Sequence, residues 1–126
     1  MIPEQLRYTK DHEWVRIEGD KAVVGITDHA QHSMGDLTFV ELPVVGKKVN
    51  RHDSMGVIES VKAASDIFAP LAGTVTEVNQ ELVKAPELIN KDPYGKGWIC
   101  RLTGIDAGAA AELMTAAQYK AILPRE

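Results

Sequence analysis

"ESVKAASDI", residues 59–67, sets a single lysine among small residues, with an acid on each side. "GVI" (56–58) leads into it and "IFAP" (67–70) leads out, and both flanks carry the β-branched and aromatic residues that fit a pleated strand. Two strands joined by so short a link form a hairpin, and Lys62 stands at its bend.

Outward from this hairpin the strand pattern continues. Upstream, "HEWVRIEGDKAVVGIT" (12–27) folds back on itself, with Glu18-Gly19-Asp20 turning the chain. "TDHAQHSMGD" (27–36) breaks the β pattern. Thr27 or Asp28 can accept the free amide hydrogens of a short helix near 28–34, and Gly35 can end that helix in a left-handed conformation. "LTFVELP" resumes strand until Pro43 removes a ladder donor. Short strands follow in "KKVN", "SMGVIES", "SDIFAP", "GTVTEVN" and "GWICRLTG", separated by Gly, Pro, Asn and Asp. "NKDPYGKGW" (90–98) marks a tight loop. "VVGKKVNRHD" and "LAGTVTEVNQ" flank the hairpin as loosely similar half-motifs.

This spacing predicts a mainly β fold, a sandwich or barrel of antiparallel sheets rather than alternating α/β units. The tail, "DAGAAAELMTAAQYKAIL" (106–123), is rich in helix formers, with Asp106 and Thr115 as caps for one broken helix or two short ones. Leu113, Met114, Ala117 and Ile122 are expected to face the sheets.

The chain has 126 residues and a net charge of −4, with no run of Lys and Arg, which argues against broad binding to nucleic-acid phosphates. No stretch approaches the roughly 20 apolar residues of a membrane span. The polar, acidic start suits a bacterial cytoplasmic protein, while a processed organellar protein with a restored Met stays open. Cys100 is the one cysteine, so no internal disulfide forms, and its strand setting reads as a small buried hydrophobe. His29 and His32 lie three apart with no third ligand at metal-site spacing, so no metal is expected.

Four readings compete for Lys62. A solvated turn lysine is the ordinary fate. A Schiff-base amine needs desolvation or a nearby cation, whereas Glu59 and Asp66 favour the charged ammonium. A phosphate-binding lysine needs a glycine-rich cradle that is lacking here. A modification site explains the bend, the small neighbours and the lack of a pocket together, because the amine needs only access. On the residues alone, the modification site and the plain turn stay level.

"GVIESVKAASDIFAPLAGTVTEVN" resembles the lipoyl-attachment region of the glycine cleavage system H-protein family. The resemblance extends through "GITDHAQ", "VELP" and "DPYGKGW", with "AAQYKAIL" in the place of the terminal helix. It implies one lipoyl-carrier domain over 1–126, a hybrid barrel-sandwich of the lipoyl/biotinyl type, expected as a monomer and without catalysis of its own. Lipoate would sit in amide linkage on Lys62. A pyridoxal-phosphate glycine decarboxylase would load an aminomethyl group, an aminomethyltransferase would pass the carbon to tetrahydrofolate, and an FAD-bearing dihydrolipoyl dehydrogenase would reoxidise the dithiol. The resemblance further makes Glu13 and Asp66 candidates to hold the loaded arm's ammonium, with a solvated strand residue as the other reading of Glu13, while Glu59 would help lipoylating enzymes and partners recognise the hairpin. A lipoate relay to other enzymes is the alternative. Two positions depart from the family pattern. Ser33 stands where some members carry histidine, and His52 replaces a glycine, so its turn must be left-handed or of a different type.

Overall fold

The computed structural model describes residues 2–124. Strand β1 (Arg7–Tyr8) pairs with β2 (Glu13–Glu18), which turns through Gly19 at φ 66° into β3 (Lys21–Ile26). Trp14 lies opposite Gly25 in that hairpin, and a Cβ on Gly25 would stand 2.6 Å from the indole. The missing side chain is what lets the fully buried ring lie flat on the neighbouring strand, where its Nε1 donates to the Pro93 carbonyl at 2.9 Å.

Helix α1 (Asp28–Met34) follows, and Thr27 rather than Asp28 caps it by accepting from the Ala30 amide at 3.2 Å. Gly35 ends it at φ 80°, ψ −164°, a glycine conformation but not the left-handed helical one expected. Strands β4 (Leu37–Glu41), β5 (Lys48–Val49), β6 (Ser54–Ser60), β7 (Ala64–Phe68) and β8 (Gly73–Val78) come next. After them lie two helices of four residues, α2 (Glu81–Lys84) and α3 (Leu88–Lys91), then β9 (Cys100–Thr103). The tail forms two helices, α4 (Ala107–Ala111) capped by Asp106 and α5 (Ala116–Ile122) capped by Thr115.

The strands build two antiparallel sheets, six-stranded in the order β1-β2-β3-β9-β8-β5 and three-stranded in the order β4-β6-β7. The two half-motifs meet where β5 pairs with β8, Lys48 opposite Thr74, while β6 and β7 pair beyond them toward the bend. Val24, Ile58, Ile67, Leu71 and Leu102 fill the main core between the sheets. Each such side chain, fully removed from water, contributes about 1.5–3 kcal/mol before entropy is subtracted.

A second, smaller core lies on the other side of β2 and β3, where Tyr119 of α5 stacks on Tyr8 with ring centroids 4.7 Å apart. The expected inward face of the tail needs correction. Leu113 is buried, but Ala117 and Ile122 are exposed, and Ala116 and Tyr119 take the buried positions. The Thr115 cap starts a new helix, which resets the phase of its apolar face. No helix among the described residues is long and apolar enough to cross a membrane.

Candidate functional site

The β6–β7 hairpin closes on a two-residue turn. The Ser60 amide donates to the Ala63 carbonyl at 2.8 Å, and the Ser60 hydroxyl oxygen accepts from the amides of Lys62 (3.3 Å) and Ala63 (3.2 Å). A serine at the first turn position thus replaces strand partners that the bend cannot supply. Val61 is 87 % exposed, and Lys62, Ala63 and Ala64 are exposed beside it. The amine is therefore open to solvent, with only small side chains around its base.

Beside the hairpin runs a cleft of about 220 Å³. Ile58, Ser65 and Asp66 line it from the three-stranded sheet, Asp11, His12 and Glu13 from the entry to β2, and His29, Ser33 and Met34 from α1. Glu13 and Asp66 thus come together from positions far apart in sequence. Glu59 does not join them: it pairs across the sheet with Phe39 and Ala64 and remains exposed. Asp66 is exposed and accepts from the Ser54 hydroxyl at 3.1 Å.

Glu13 is no solvated strand residue, being only 2 % exposed. Its carboxylate accepts from the Thr9 hydroxyl at 2.5 Å, and the backbone amide of Phe68 on β7 favours its charged form. Burial pushes its carboxyl up to about 7, and the charge of Asp11 adds to this, while the Thr9 hydroxyl and the Phe68 backbone oppose it.

His12, one residue earlier, was not singled out by sequence. It holds φ 70°, a left-handed conformation that costs a non-glycine residue roughly 1–2 kcal/mol. Its Nδ1 lies 2.7 Å from the Tyr119 hydroxyl, which lies 2.8 Å from the Thr27 hydroxyl, so the cleft is tied to the cap of α1 and to α5. Burial, then the nearby His29 ring at 4.8 Å, pushes the His12 imidazole below its usual value, with Asp11 opposing.

His29 and His32 gain no third ligand, and no group of three metal-binding side chains occurs among the described residues. Cys100 is fully buried and its thiol is pushed up to about 12 by burial, which leaves it inert at neutral pH. His52 does adopt the left-handed conformation, at φ 74°, stabilised where its amide donates to the Ala69 carbonyl at 2.8 Å. Asn90 was also missed by sequence. It sits on α3 yet bonds to residues 31, 35 and 37.

Two antiparallel sheets, a lysine at the bend of a hairpin and an acidic cleft beside it define a lysine-tipped hybrid barrel-sandwich. The profile of the family described as "Glycine cleavage H-protein" matches residues 6–126. The chain belongs to that family. It is similar to the glycine cleavage system H protein of Thermus thermophilus, 53 % identical over 125 residues that cover 99 % of this chain and 98 % of that one. The corresponding protein of Carboxydothermus hydrogenoformans is 45 % identical over 126 residues, covering 100 % and 97 %. Among solved structures, a glycine cleavage system H protein from Mycobacterium marinum superposes with a TM-score of 0.86 at 43 % identity, covering 95 % of this chain and 97 % of that chain.

Proposed function

We propose that the chain is a single-domain, non-catalytic carrier of glycine cleavage that bears lipoate in amide linkage on Lys62. Family membership supports the role, and the observation that carries the assignment of the residue is the exposed lysine at a small-residue bend beside an acidic cleft. Bound there, the group would supply a dithiolane whose sulfurs accept an aminomethyl group and cycle through the dithiol.

The chain's own residues present and shelter that cargo. The turn holds Lys62 outward, where a tethered arm raises its effective concentration at successive active sites. Those sites belong to a glycine decarboxylase, an aminomethyltransferase and a dihydrolipoyl dehydrogenase. Between visits, the apolar walls of Ile26, Ile58 and Met34 receive the aliphatic part of the arm. Glu13 and Asp66 hold the cargo's ammonium by charge-assisted hydrogen bonds. Keeping that amine protonated removes the lone pair that would expel the sulfur, and so guards the carbon until tetrahydrofolate is at hand. Glu59, on the exposed face next to the bend, is a contact for lipoylating enzymes and partners, and one carrier chain acts as a monomer.

Intact-mass analysis of protein from cells with active lipoylating enzymes tests the reading. One lipoyl increment is expected, mapping to Lys62 and lost in Lys62→Arg. That lipoylated protein should restore glycine-dependent methylenetetrahydrofolate formation to the three partner enzymes. An unmodified chain, or a lipoylated one that supports no transfer, would refute it.

A further inference from the structure

The arm must leave the hairpin tip in some direction, and Gly35 marks one. Its bare Cα faces Lys62: a Cβ built there would stand 3.2 Å from Lys62 Cε, 3.8 Å from Nζ and 4.0 Å from Cδ. The lysine stem therefore lies across the glycine in close packing. Positive φ already restricts this position to glycine, and the approach of the stem is a second, independent restriction.

Gly35 is held from several sides. Its amide donates to the Gln31 carbonyl at 3.0 Å, the last bond of α1. Its carbonyl accepts from Asn90 Nδ2 at 2.9 Å. The same Nδ2 donates to the Gln31 side-chain oxygen at 2.9 Å, while Asn90 Oδ1 accepts from the Leu37 amide at 2.9 Å. One half-buried side chain from α3 thus uses both its donors and its acceptor on the end of α1, on Gly35 and on the start of β4. The residues just before Gly35, Ser33 and Met34, already line the cleft, so a stem lying over Gly35 starts at its edge.

We propose that Gly35 is a saddle for the aliphatic stem of Lys62 and that Asn90 is the positioning residue that fixes this saddle, directing the arm into the cleft between α1 and β7. The proposal rests on lipoate being carried by Lys62. It gives the arm a built entry path where a freely rotating lysine would spend most of its time in solvent. Asn90 acts through Gly35 and touches no part of the cargo.

The test uses the full ¹⁵N-labelled chain, first unlipoylated, then lipoylated, then loaded with the aminomethyl group by glycine decarboxylase. The amide resonance of Gly35 and the Nδ2 resonances of Asn90 should shift on lipoylation or loading, together with those of Glu13, Ser33 and Asp66. Shifts in the cleft without shifts at Gly35 and Asn90 would overturn the saddle and leave the carrier reading intact. A chain that takes no lipoate, or whose cleft does not respond to loading, would fail the carrier reading and the saddle with it.

A second measurement is the rate at which ammonia is lost from the loaded arm. Asn90→Asp keeps an acceptor for the Leu37 amide but removes the donors to Gly35 and Gln31. Loss of these bonds should speed release about tenfold, with lipoylation of Lys62 unchanged by mass. Unchanged release in a folded, lipoylated Asn90→Asp would overturn the positioning role. If that variant does not fold, the resonance shifts of the unaltered chain decide.

Discussion

Glu13→Gln should make the protein more stable at alkaline pH while weakening its hold on a cationic cargo. The carboxyl titrates near 7 in the folded chain against 4.5 for an ordinary glutamate, chiefly because burial penalises its charge. Between these values the folded chain binds more protons than the unfolded chain, so stability falls as pH rises and levels off above 7. At about 1.4 kcal/mol per pH unit of separation, ionised Glu13 costs the folded state up to ~3 kcal/mol at pH 8. Gln carries no charge and keeps an oxygen for the Thr9 donor, so the variant should recover ~1–3 kcal/mol at pH 8. At pH 4.5, where Glu13 is protonated when folded, the two proteins should agree to within ~0.5 kcal/mol.

Urea denaturation at half-unit intervals from pH 4.5 to 8 measures both proteins. Other carboxylates contribute equally to the two curves, so the difference isolates Glu13. The same substitution should also abolish a proton release on loading. An ammonium drawn to Glu13 lowers its pKa, so about half a proton per arm should leave at pH 7, where the empty cleft holds the group half-titrated. A stability difference that does not vary with pH, or a variant less stable at pH 8, would refute a desolvated, protonated Glu13.

Gly25→Ala should destabilise by ~2–3 kcal/mol in thermal or urea denaturation, since its Cβ meets the buried Trp14 ring at 2.6 Å and neither strand has room to yield. Tyr119→Phe should cost ~1–3 kcal/mol by leaving His12 and Thr27 without their shared hydroxyl, with the loss read by denaturation and by a changed His12 titration in NMR. Cys100 should resist thiol reagents in the native state at pH 8 and react at once after denaturation, because burial holds its pKa near 12.

The lysine hairpin was legible because everything that makes it is local: a serine that folds onto its own turn, small residues, and β-branched flanks. The short helix was legible for the same reason, its cap and its terminal glycine lying within the segment they bound. Glu13 was not. The start of β2, "EWV", is buried on both faces because the main core lies on one side and α5 covers the other, so strand alternation carries no information there. The helices α2 and α3, of four residues each, are too short to show a helical period. Asn90 looks like any polar loop residue until the chain folds, since its partners lie more than 50 residues away. His52 was flagged as a misfit for a glycine position, and the structure keeps the glycine conformation with the histidine in it.

The cleft is a seam between the two sheets, and this explains why a stability-costing acid sits in it. Strand β7 is an edge of the three-stranded sheet, so alternate backbone amides along it have no strand partner. The Phe68 amide on this strand acts on the Glu13 carboxylate, which reaches over from the six-stranded sheet. Glu13 therefore blunts an exposed edge and ties the sheets together at the place where the arm would come to rest. A neutral glutamine could serve as that stitch with less strain at pH 8. What it could not do is offer negative charge to an ammonium in a dry setting, where a charge-assisted hydrogen bond is strongest. The folded state's reluctance to ionise Glu13 and the cleft's proposed capacity to hold a cation thus have one cause, the removal of water from the carboxyl. A protein that gained stability from Glu13→Gln and lost nothing in sheltering its cargo would break that link.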